Sequence, residues 1–235
     1  MMSHVSENKN PAGLQCSAFP LIRQLSALVT PWLVKTPITA NQITFISMVL
    51  GLTASFLFSL GTFTTDLFAS ILFSISYLLD HCDGEVARGK NQASKFGQNF
   101  DSFVDWIVHT TFFIGLGWGT YTASSNIIWV WFGVAAAFGA TINYLIGIYL
   151  LIKRNHHLTK GFGSVASPEL LSDIPESLKD KVIFAFRELA RADFWLLVFL
   201  LAIFGFVWIL LPAAAIGAQI YWITLLLVGD KNFRV

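Results

Sequence analysis

The chain has 235 residues, of which 55% are hydrophobic and only 12% charged, with 22 Phe, 8 Trp and a mean hydropathy of +0.64. A water-soluble globular domain carries roughly twice that charged fraction, so the composition excludes one and points to an all-α integral membrane protein. The formal charge is +1, and no nucleic-acid partner is expected.

In chain order, residues 1–14 are polar, lack the apolar stretch of a cleavable signal peptide, and are expected to be disordered. Residues 15–36 contain "FPLIRQLSALVTPWLVKT", which mixes Leu, Ile, Val and Trp with few charges and is too short to span a bilayer. It reads as an amphipathic helix lying in the cytoplasmic interface, with a loose linker as the alternative. Residues 37–235 read as one six-helix membrane domain. Apolar runs of about 20 residues, the length that crosses the hydrocarbon core, fall at 43–63, 67–88, 97–121, 127–152, 183–206 and 208–228. The connections after the first, third and fifth are short: "GTFTTD", "TASSN" and a bend near Pro212. Residues 156–181 form the one long polar loop. With both termini inside, all 15 Lys and Arg fall on the cytoplasmic side and the opposite loops carry only Asp66, a strong positive-inside pattern. Cys16 and Cys82 both fall on that reducing side, so no structural disulfide is expected. Asn41 and Thr44, where the first span begins, read as helix N-cap residues or as lining for a cavity.

The segment "DHCDGEVARGKNQASKFGQNFDSFVDW" breaks the apolar pattern. Ionisable groups in spanning helices are costly and usually mark function. Asp80 and Asp83 are spaced i, i+3 at the end of the second span, and Asp101 and Asp105 i, i+4 at the start of the third. Each pair therefore shares a helix face, and the short connection makes the two helices antiparallel neighbours. Four converging carboxylates repel one another, and one or two divalent cations resolve that repulsion. All-oxygen ligation suits Mg²⁺, Mn²⁺ or Ca²⁺. Zinc fits poorly, because His81 and Cys82 point away from the Asp80/Asp83 stripe of a regular helix. Gly84 and Arg88 continue the Asp80 stripe, offering close approach to the backbone and bidentate phosphate recognition. Together these residues read as a site for a diphosphate.

Asp80-x-x-Asp83-Gly84-x-x-Ala87-Arg88, eight residues, then Gly97-x-x-x-Asp101-x-x-x-Asp105 resembles the signature of the CDP-alcohol phosphotransferase family at all eight fixed positions. The span count and the interfacial N-terminal helix are also similar to family members, and the short chain resembles the prokaryotic branch, which implies a bacterial or archaeal cytoplasmic membrane. The resemblance implies transfer of a substituted phosphate from a CDP-linked donor to an alcohol acceptor, releasing CMP, as in phospholipid biosynthesis. It implies Mg²⁺ or Mn²⁺, as two ions, on Asp80, Asp83 and Asp101, with Asp105 as the general base. It also implies CDP contacts from Gly84, Ala87, Arg88 and Gly97, membrane lipid as a partner, and a homodimer. The residues agree where they speak: Asp105, a turn below Asp101, is the carboxylate least needed as a ligand.

Glu85 lies outside the signature and is expected to face Lys90, Lys95 or lipid headgroups. His109 continues the Asp105 stripe and is placed either to hydrogen-bond that carboxylate or to be held by a neighbouring helix. Lys153 and Arg154, with Arg187 and Arg191 at i, i+4 in "FAFRELARADFW", form a candidate pocket for a phosphorylated acceptor, or else anchors to anionic lipid. The donor is expected to be CDP-diacylglycerol, with a soluble CDP-alcohol such as CDP-inositol, or a CDP-amino alcohol, as the alternative. A divalent-cation transporter is a third reading. It requires polar residues continuing across the membrane, and the extracytoplasmic halves of the spans are almost purely apolar.

Overall fold

Seven helices and one 3-10 turn make up the assigned elements of the computed structural model, which describes residues 20–157 and 193–228, with side chains at 20–149 and 193–223. The helices are α1 Leu21–Lys35, α2 Ala40–Phe58, α3 Phe63–Gly89, α4 Lys95–Ser124, α5 Ile128–His157, α6 Phe194–Ile203 and α7 Leu210–Val228, with the 3-10 turn Val207–Ile209 between the last two. Among the described residues, three segments are long and apolar enough to cross a membrane: Ala40–Phe58, Phe63–Gly89 and Ile128–Tyr149. The remaining long helix, α4, carries Lys95, Asp101 and Asp105 in its first three turns. The expected disorder of 1–14, the loop 156–181 beyond His157, the part of the span 183–206 before Asp193, and Cys16 lie outside the described residues.

Capping side chains set the helix starts. Thr39 accepts from the Gln42 amide at 3.3 Å while the Gln42 side chain accepts from the Thr39 amide at 2.9 Å, a reciprocal box that satisfies two orphan donors. Thr39 is therefore the cap of α2, and Asn41 and Thr44 lie inside the helix rather than at its cap. Thr62 and Thr65 make the same box at the start of α3, so Phe63 opens the second long helix instead of closing the first. The bend expected at Pro212 lies at Gly205, whose φ of 72° ends α6. Pro212 sits in the first turn of α7, where its missing N–H has no intrahelical role.

α2 packs against α3 and α4, α4 against α5, and α5 against α7. Lipid gives helices no hydrophobic reason to associate, so close packing depends on small residues. A Cβ on Gly115 or Gly119 of α4 would collide with the Ser55 or Phe58 carbonyl of α2. Ser76 Oγ of α3 donates to the Ser47 carbonyl of α2 at 2.7 Å, and Trp106 Nε1 of α4 donates to Thr141 Oγ1 of α5 at 3.1 Å. An aromatic knot centres on Phe112, with ring centroids 4.9 Å from Phe73, 5.2 Å from Phe58 and 6.0 Å from Phe194.

α1 is docked along its length. Pro20 offers no capping side chain, and the buried Asp193 supplies one from 172 residues away, accepting from the Leu21 and Ile22 amides at 2.8 and 2.9 Å. Ser26 and Thr30 donate to Glu85 of α3. Lys90 Nζ donates to the Thr36 and Ile38 carbonyls at 2.7 and 2.6 Å. Glu85 thus faces α1 and not Lys90, Lys95 or the headgroups, because its place on α3 turns it toward the Ser26 and Thr30 hydroxyls. The opposite stripe of α1 is apolar and open, with Leu28 70% and Trp32 73% exposed. Asp193→Ala removes two charge-assisted bonds to helix N-terminal amides. It is expected to cost about 2 kcal/mol, read as loss of amide-exchange protection at Leu21 and Ile22 with the α2–α4 core still protected.

Candidate active site

The last turns of α3 and the first turns of α4 bring three carboxylates together: one oxygen each from Asp80, Asp83 and Asp101 lies within 4.8 Å of the other two. Ligand oxygens on one Mg²⁺-sized ion lie about 3 to 4 Å apart, given bonds of about 2.1 Å. The trio therefore fits a hard divalent cation after movements of an ångström or so, and its all-oxygen donor set suits hard cations over softer metals. Asp83 is 5% exposed, and its Oδ2 accepts from Thr44 Oγ1 of α2. The same hydroxyl lies 3.1 Å from the Ala40 carbonyl. Thr44 orients a site carboxylate, a role that no motif in its own neighbourhood signals.

Asp105 is not one of the three whose oxygens gather. It lines a pocket between α2, α3 and α4 together with Asp80, Ser47, Phe73, Tyr77 and His109. His109 does not reach the Asp105 carboxylate: its Nδ1 lies 2.8 Å from the Asp105 main-chain carbonyl, so it carries the hydrogen there, and its ring lies edge-on to Phe73 at 6.3 Å. Cys82 is buried away from the trio, as expected, but His81 is not. Its Nδ1 lies 4.0 Å from Asp80 Oδ2 and 3.1 Å from the Tyr77 carbonyl, because its ring folds back onto Tyr77 with centroids 4.9 Å apart.

A Cβ on Gly84 would meet only the Arg88 guanidinium, at 3.5 Å, so an open strip of α3 backbone lies directly beside a cation. Ala87 packs on the Ala40, Ile43 and Val86 cluster. Gly97 faces α2, where its Cβ would sit 3.1 Å from Asn41 Oδ1. The side chains of Lys153 and Arg154, and all of Arg187 and Arg191, lie outside the described residues.

Fold and site together define a helical membrane protein with a three-carboxylate centre of metal-binding type beside an open stretch of helix backbone and an arginine. The chain belongs to the CDP-alcohol phosphatidyltransferase family, whose sequence profile matches residues 37–229, and that membership sets the transporter reading aside. The chain is 32% identical over 122 residues to bifunctional IPC transferase and DIPP synthase of Thermococcus kodakarensis, covering 52% of this chain and 26% of that protein. It matches the protein of the same name in Aquifex aeolicus at 32% over 122 residues, covering 52% of this chain and 27% of the relative. Archaetidylinositol phosphate synthase of Pyrococcus horikoshii is 31% identical over 100 residues, covering 43% of this chain and 52% of the synthase. The matched part thus spans about a quarter to a half of these relatives.

Proposed function

We propose that this protein transfers a substituted phosphate from a CDP-linked lipid of the CDP-diacylglycerol type to the hydroxyl of a polar acceptor, releasing CMP. The observation that supports this best is the convergence of Asp80, Asp83 and Asp101 next to the open Gly84 strip and Arg88, with Asp105 in the adjoining pocket. Asp80, Asp83 and Asp101 would hold Mg²⁺ or Mn²⁺, as two ions, which when bound supply positive charge against the diphosphate oxygens. Arg88 donates to those oxygens, and the missing side chain at Gly84 lets them approach the helix. Asp105 takes the proton of the acceptor hydroxyl. The acceptor oxygen bonds to the phosphorus that carries the donor's alcohol group. The bond from that phosphorus to the CMP oxygen breaks, and CMP leaves with the electron pair, its charge met by Arg88.

In this reading the chain crosses the membrane six times, with both termini and the site on the cytoplasmic side of a bacterial or archaeal membrane. α1 lies in the interface with Leu25, Leu28 and Trp32 toward lipid, and the protein is a homodimer. Lys153, Arg154, Arg187 and Arg191 hold a phosphorylated acceptor. The residues named address only the CDP part of the donor, so the same machinery serves a soluble CDP-alcohol such as CDP-inositol. The name of the Pyrococcus horikoshii relative puts inositol-bearing acceptors first in the test. Purified protein with Mg²⁺ or Mn²⁺ is given CDP-diacylglycerol, CDP-inositol or CDP-ethanolamine, each with inositol phosphate, glycerol phosphate or diacylglycerol. CMP release from at least one pair is expected. Protein that binds CDP but forms no CMP with any pair would sink the reading.

A further inference from the structure

Glu85 sits one residue from Gly84 yet on the other side of α3. At about 100° per residue, Asp80, Asp83, Gly84 and Ala87 share one face, while Cys82, Glu85, Val86 and Gly89 share the opposite one. On that opposite face both Glu85 oxygens are occupied: Ser26 Oγ donates to Oε1 at 2.8 Å and Thr30 Oγ1 to Oε2 at 2.5 Å. Ser26 is fully buried, and a Cβ on Gly89 would sit 3.2 Å from Val34 Cγ2, so α1 lies close along this stripe. α1 is itself fixed at both ends, by Asp193 at its first two amides and by Lys90 at the carbonyls that follow it. A carboxylate held by two hydroxyls of a helix fixed at both ends sets the rotation of α3 about its own axis.

We propose that Glu85 is a positioning residue: through Ser26 and Thr30 it holds the last turns of α3 in the rotation that brings Asp80 and Asp83 to Asp101. The lever is short. Side-chain tips lie about 5–6 Å from a helix axis, so a rotation of about 10° moves Asp80 and Asp83 by ~1 Å relative to α4. A displacement of that size costs on the order of 10²-fold where reacting groups must be aligned. Glu85 touches neither donor nor acceptor and acts only through α3. The kinetic part of the test rests on the transferase reading, and the metal-binding part does not.

The test compares Glu85→Ala, Glu85→Gln and the double variant S26A/T30V with the wild type, as full-length protein in detergent. Three quantities are read: Mn²⁺ affinity by electron paramagnetic resonance, kcat and KM for CMP release, and thermal stability. Glu85→Ala is expected to weaken Mn²⁺ binding about tenfold and to lower kcat 10- to 100-fold, with KM for the CDP donor within about threefold. Glu85→Gln retains an acceptor for Ser26 or Thr30 and is expected to recover most of both. S26A/T30V, which leaves the α3 sequence untouched, is expected to reproduce Glu85→Ala and serves in its place if that variant does not fold. A lower Tm with Mn²⁺ affinity and kcat both within twofold of the wild type would overturn the proposal and leave Glu85 a structural tie. A Mn²⁺ shift in the variants, in protein whose wild type forms no CMP, supports the positioning role while sinking the transferase reading.

Discussion

Replacing Asp105 by Asn is expected to lower CMP formation about 10³-fold while leaving Mn²⁺ affinity within twofold of the wild type. The substitution preserves size and hydrogen-bonding capacity but removes the only function that a base requires, uptake of a proton. General-base catalysis contributes ~10²- to 10⁴-fold, which sets the magnitude. The separation of the two effects rests on geometry. Asp105 is outside the group whose oxygens gather within 4.8 Å, and it faces the pocket with Asp80 and His109. CMP release at saturating donor and acceptor gives the first number, and Mn²⁺ titration by electron paramagnetic resonance gives the second. If metal affinity falls in step with activity, Asp105 belongs to the ligand set and another group must take the proton.

The four aspartates were legible because helical periodicity puts Asp80 with Asp83 and Asp101 with Asp105, and a short connection makes their helices neighbours. Ala87 and Gly97 stood out only through the resemblance to the family signature. The residues that orient the aspartates were not legible, and the reason is distance along the chain. Thr44 meets Asp83 across 39 residues, Glu85 meets Thr30 across 55, and Asp193 caps α1 across 172. No local pattern encodes such pairs, since each residue taken alone reads as an ordinary helix-start or surface residue. Glu85 illustrates the cost of judging a charge by its nearest sequence neighbours: Lys90 is close in sequence, but its ammonium is committed to two main-chain carbonyls. Element ends failed for a different reason. Phe63 continues the apolar run of α2, and hydropathy cannot see that Thr62 and Thr65 cap a new helix at that point. Pro212 looked like the break between the last helices, yet proline is tolerated in a first turn. The chain instead reverses at Gly205, where positive φ suits a residue without a Cβ.

Neutralising any one member of the trio, as Asp80→Asn, Asp83→Asn or Asp101→Asn, is expected to abolish both metal binding and CMP formation without unfolding the protein. Ionised carboxylates 4.8 Å apart or closer repel by roughly 3 kcal/mol per pair at an effective dielectric constant near 20. Removing one charge therefore leaves the metal-free protein at least as stable as the wild type. The bound ion reverses that balance: at a free concentration 100 times its Kd it adds about 2.7 kcal/mol to the folded state, a Tm increase of ~5–10 °C for a chain of this size. The wild type should show that increase with Mn²⁺, and the three variants should show almost none. Thr44→Val provides the graded control, since it removes the hydroxyl that orients Asp83 but no ligand. Loss of such an outer partner lowers metal affinity ~10- to 100-fold, so its Tm increase should return at proportionally higher Mn²⁺. A full Mn²⁺-dependent increase in all three Asp variants would place the cation elsewhere and remove the basis for reading this cluster as a phosphoryl-transfer centre.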